Sequence, residues 1–131
     1  MNASGTFDVK ISPLPLSYDG GEVQCGRFSL AKQFHGGLEA ASDGEMLTAG
    51  NAAAGSAGYV AIERVSGTLG GRSGAFALQH RGTMHAGAQS LSVTVVPGSG
   101  SGELAGLTGE MKIIIEGGKH SYEFEYTLGS S

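Results

Sequence analysis

Along most of the chain apolar and polar side chains alternate with a period of two, and glycine pairs or prolines break the alternation every ~10 residues. That period marks strands with one face turned inward. It is clearest over Gly55–Met84, which predicts two long strands, Tyr59–Leu69 and Gly74–Met84, around the turn Gly70-Gly71-Arg72-Ser73. In the first, Tyr59, Ala61, Glu63, Val65 and Leu69 share a face, and Val60, Ile62, Arg64 and Thr68 share the other. Apolar residues on both faces predict a strand covered on both sides. In the second, Phe76, Leu78, His80 and Met84 point one way.

The flanks repeat the theme. Thr6–Ile11 reads as a strand, ended by Pro13 and Pro15 because proline cannot donate to a ladder. Val23–Phe34 follows, with Phe28, Leu30, Lys32 and Phe34 on one face. Leu38–Ala49 reads as a third strand, weakened or bulged at Asp43-Gly44. A short helical turn fits Asn51–Gly55, and another fits Gly102–Thr108. Leu91–Val96, Met111–Glu116 and His120–Leu128 complete the set, the last two joined at Gly117-Gly118. About eight strands at meander spacing predict one all-β domain over residues 1–131, an up-and-down antiparallel barrel or a sandwich. A barrel of that size closes its own edges and leaves room for side chains or one small ligand.

Composition strengthens this reading. The 131 residues include 24 glycines, which disfavour helix. The net charge of −4, without any basic run, argues against nucleic acid and against a polybasic membrane anchor. No apolar stretch reaches membrane-spanning length, and no signal peptide is expected in MNASGTFDVK. A lone cysteine, Cys25, allows no internal disulfide and suits a reducing cytoplasm.

The candidate chemistry is sparse. Glu63 lies on an apolar face, so burial is expected to raise its pKa and fit it for acid or base work. His80 shares a face with Phe76 and Leu78 and sits on the paired strand. If the register brings the two together, they form the best catalytic pair in the chain. Phe34, Tyr59, Phe76, Leu78, Tyr122 and Tyr126 are the expected lining of a ligand cavity. The histidines lack the three or four convergent ligands a metal site needs, and neither glycine run has the context of a phosphate loop. No metal or cofactor is expected.

Several runs carry a resemblance. They are Lys32-Gln33-Phe34-His35-Gly36, Gly44-Glu45-Met46-Leu47, the stretch from Gly58 to Val65, that from Gly74 to His80, that from Val95 to Leu104, and His120-x-Tyr122-x-Phe124-x-Tyr126. They resemble a bacterial family of small proteins of unknown function, similar in fold to the allene oxide cyclases and dirigent proteins. The resemblance implies an eight-stranded antiparallel barrel, often oligomeric. It does not imply the cyclase's activity, and no catalytic residue is carried over from it.

Three functions remain in competition. The first is binding of a small, largely apolar molecule in the barrel. The second is a cofactor-independent isomerase or cyclase, or another proton-transfer enzyme, using Glu63 and His80. The third is a structural oligomer with a filled barrel. A homo-oligomer is expected in any case, because the outer apolar face must also leave water.

Overall fold

The computed structural model describes residues 1–129. Nine strands form in chain order: β1 (Asn2–Leu14), β2 (Cys25–Gly36), β3 (Leu38–Asn51), β4 (Ser56–Leu69), β5 (Arg72–His85), β6 (Ala88–Val95), β7 (Ser101–Gly102), β8 (Leu107–Glu116) and β9 (Lys119–Leu128). All pairings are antiparallel. β1 to β6 follow one another as neighbours, β6 meets β8, β8 pairs with β9, and β9 returns to β1. The result is a closed eight-stranded barrel, with the two-residue β7 added on the end of β5.

Three local expectations are corrected. β1 runs through Pro13, which pairs opposite Phe28, instead of stopping before it. Proline is tolerated because β9 pairs with β1 only over Asn2–Thr6, so Pro13 has a single ladder to serve. β3 carries no bulge at Asp43-Gly44: the pairs Ala31↔Asp43 and Leu30↔Gly44 continue in step, as do Asp43↔Arg64 and Gly44↔Glu63. Residues 103–106 form a turn, not helix, and its Leu104 is buried at the end of the barrel. A single 3-10 turn, Ala52–Ala54, joins β3 to β4.

The barrel is packed solid at one end. Phe34, Leu38, Leu69, Phe76, Leu78, Leu104, Leu107, Tyr122, Phe124 and Tyr126 are all buried there. Phe34 meets Tyr122 edge-on at 5.6 Å, and Phe76 stacks on Phe124 at 5.9 Å. The Tyr122 hydroxyl donates to the His35 carbonyl at 2.8 Å and accepts from the Leu38 N–H at 3.0 Å, closing the β2–β3 turn over the core. At the other end the inward positions are Phe28, Met46, Tyr59, Met84, Leu91 and Ile115, and there the interior opens.

Candidate functional site

Between the solid end and the open end lies a buried charged layer. Lys32 from β2, Glu63 from β4 and His80 from β5 project inward in step with the apolar residues above and below them. Glu63 is 0% exposed. Its Cα partners are Gly44 and Leu78, so His80, two residues beyond Leu78, is its diagonal neighbour. Lys32 Nζ lies 2.9 Å from Glu63 Oε2, and His80 Nε2 lies 2.6 Å from the same oxygen. An ionised carboxylate only accepts, so His80 Nε2 carries the proton and donates it. The Lys32 ammonium also sits 5.0 Å from the ring centre of Phe7 and 5.8 Å from that of Phe34, a cation held between aromatic faces.

Electrostatics overturn one expectation. Burial is the largest single influence on Glu63 and drives its pKa up. The hydrogen bonds and charges of His80 and Lys32, the His80 hydrogen bond foremost, together outweigh it and hold the carboxyl below its ordinary value of 4.5. Glu63 is therefore an ionised, paired carboxylate and not a neutral acid. The pairing is incomplete: Oε2 takes both donors, whereas Oε1 has no hydrogen-bond partner among the described residues. Nor has Ser42 Oγ, on β3, whose Cα partners are Lys32 and Val65.

Above this layer the open end holds a cavity of about 470 Å³. Phe28, Met46, Tyr59, Met84 and Leu91 give it an apolar wall, and no residue in its lining carries a formal charge. Tyr59 is the wall that faces the charged layer. Its ring centre lies 6.5 Å from that of His80, and its hydroxyl pKa is raised first by burial and then by the charge of Glu63. The ring lies across Gly82, where a Cβ would come within 2.3 Å of it. Glycine at that position is what lets the ring lie flat.

The sequence-predicted residues divide between two places. Glu63 and His80 are brought into contact, and Tyr59 lines the cavity. Phe34, Phe76, Leu78, Tyr122 and Tyr126 lie in the solid end. Lys32 and Ser42 were not singled out by sequence, although Lys32 falls on the apolar face of Phe28, Leu30 and Phe34. A lysine in such a run requires a buried acid, and that was its signal.

Further depressions lie elsewhere among the described residues, and two of them are larger than this cavity. One, of about 720 Å³, follows the seam where β6 and β8 are joined by the single pair Thr94↔Glu110, and its lining contains none of the charged layer. The other is an outer groove of about 730 Å³ beside Tyr18, Leu47, Val60 and Ile62. Among the described residues no group of three or more His, Cys, Asp or Glu side chains is placed to hold a metal ion. No helix among them is long and apolar enough to cross a membrane.

No curated protein matches the chain. A crystal structure of a protein of unknown function from Shewanella oneidensis MR-1, itself a DUF3224 family member, is 51% identical. The match covers 100% of this chain and 98% of that one, with a TM-score of 0.94. The DUF3224 family model, described as a protein of unknown function, matches residues 3–126. The chain, with its closed barrel and buried Lys32–Glu63–His80 layer, belongs to the DUF3224 family.

Proposed function

We propose that the open end of the barrel binds a small, largely apolar molecule. The observation that carries this reading is the apolar cavity of about 470 Å³ above a buried, ionised carboxylate. A purely structural barrel would fill both ends, whereas here Phe and Leu side chains fill only one. The likeness to the allene oxide cyclase barrel belongs to the same reading, supported by the eight-stranded antiparallel closure and the open mouth. So does a cytoplasmic location, supported by the lone Cys25, which is half-buried and unpaired.

Amide NMR mapping with 1-methylnaphthalene tests the binding site. Shifts centred on Phe28, Met46, Tyr59, Gly82 and Met84 are expected. Shifts confined to the β6–β8 seam, or none at all, contradict the assignment.

The second reading is proton transfer. The free oxygen of Glu63, with His80 2.6 Å from its partner oxygen, could take a proton from carbon beside a carbonyl and return it at a neighbouring position. The depressed pKa makes Glu63 a weak base, so binding stands first.

Self-association is part of the proposal. Leu47, Val60 and Ile62 stand exposed on the outer face of β3 and β4, so the predicted second cover is not supplied by the chain itself. Charged residues border them: Glu45, paired with Arg27 at 2.8 Å, Asp43 opposite Arg64, and Arg81 beside Val60. Two copies related by a twofold axis would bury this apolar centre of each against that of the other, within a charged rim.

A further inference from the structure

We infer that the molecule held in the barrel mouth carries a neutral hydroxyl, which donates a hydrogen bond to Glu63 Oε1 once the Tyr59 ring has swung aside. The inference rests on the binding reading above and names the chemistry of the ligand.

Three observations lead to it. Glu63 Oε1 belongs to an ionised group, is fully buried, and has no partner among the described residues. Leaving such an oxygen unmade is among the costliest defects a fold carries, so a donor from outside the chain is favoured there. Ser42 Oγ, on the neighbouring strand and also buried, is a second polar atom on the same inward face without a hydrogen-bond partner among the described residues. Tyr59 couples the cavity to this layer: it lines the one and lies against His80 of the other. Behind its ring stands Gly82, with no side chain to pin it.

Charge selects among donors. Lys32 and Glu63 already balance each other. An ammonium would add an uncompensated cation to a buried site, and a carboxylate would be repelled by Glu63. A hydroxyl supplies the donor without a charge, and the uncharged apolar wall suits a hydrocarbon body behind it. The class is an apolar alcohol or phenol.

The test is calorimetric titration of the full chain with 1-naphthol and with 1-methylnaphthalene, which differ by a hydroxyl in place of a methyl of nearly the same size. 1-Naphthol is the less hydrophobic, so a cavity that reads apolar surface alone prefers 1-methylnaphthalene. The inference predicts the reverse, with 1-naphthol bound about tenfold more tightly or better, as expected for a hydrogen bond to a charged acceptor. Glu63→Gln, which offers no charged oxygen, should lose that advantage. Tighter binding of 1-methylnaphthalene to the unaltered chain overturns the inference while leaving the binding reading intact. Failure of both compounds to bind overturns both. The pair of probes decides the matter in the unaltered chain even if Glu63→Gln does not fold.

Discussion

His80 Nε2 lies 2.6 Å from Glu63 Oε2 although the two residues are diagonal, not opposite, on β4 and β5. Lys32, which comes from β2 and spans β3, reaches the same carboxylate oxygen at 2.9 Å. Gly44 is the β3 residue beside Glu63, where a Cβ would come within 2.7 Å of the Glu63 Cα and 2.8 Å of its Cβ, so only glycine lets β3 pass this close to it.

Lys32→Met should therefore be strongly destabilising. It leaves a buried carboxylate with only His80 as partner, a defect that costs about 3–5 kcal/mol. Urea unfolding of the variant measures it. A change below 1 kcal/mol would mean that the Lys32–Glu63 contact contributes no more than a surface ion pair.

Glu63 also sets an acid limit. Its folded pKa is depressed, so its contribution to stability is complete above the ordinary value of 4.5 and is lost as pH falls through the lower folded value. Unfolding midpoints measured from pH 6 down to pH 3 should fall more steeply for the native chain than for Glu63→Gln. Parallel curves would show that the carboxyl gains nothing from its partners.

Tyr59 gives a spectroscopic view of the same charge. Burial and then Glu63 raise its hydroxyl pKa above 10.0. Ultraviolet titration should show a late-titrating tyrosine that is missing in Tyr59→Phe and titrates earlier in Glu63→Gln. The folded state holds this proton more firmly, so the associated stability is present below pH 10 and is lost as pH rises through the folded value. An unchanged titration in Glu63→Gln would separate Tyr59 from the charged layer.

Ile62→Lys tests the outer face. If two copies bury Leu47, Val60 and Ile62, light scattering of the native chain gives twice the monomer mass of 13.2 kDa, and the variant returns to the monomer. A native chain that is already monomeric at high concentration would remove this interface.

Much of the barrel was legible in the alternation of side chains, because a period of two survives wherever one face is buried. That is why Phe28, Leu30, Lys32 and Phe34 fall inward as read. The ends of strands were less legible. Pro13 continues β1 because β9 leaves that edge unpaired, a fact of topology that no local pattern carries. Register was the harder matter. A four-residue turn over Gly70–Ser73 would set Glu63 opposite His80, whereas the observed turn pairs Leu69 with Arg72 and sets Glu63 opposite Leu78. Both place Glu63 and His80 on the same side, so the contact tolerates the difference. Lys32 escaped notice because its partner is 31 residues away on a strand that is not its neighbour. The sign of the Glu63 shift followed from that omission, since burial without Lys32 and His80 would indeed have raised it.

A crystal structure after soaking with a set of small apolar alcohols, phenols and carbonyl compounds puts the barrel mouth to the test. Density is expected among Phe28, Met46, Tyr59 and Met84, with the Tyr59 ring displaced from Gly82 and a hydroxyl within hydrogen-bond distance of Glu63 Oε1. A mouth that stays closed over Glu63, with every compound bound on the outer grooves or not at all, would contradict this expectation.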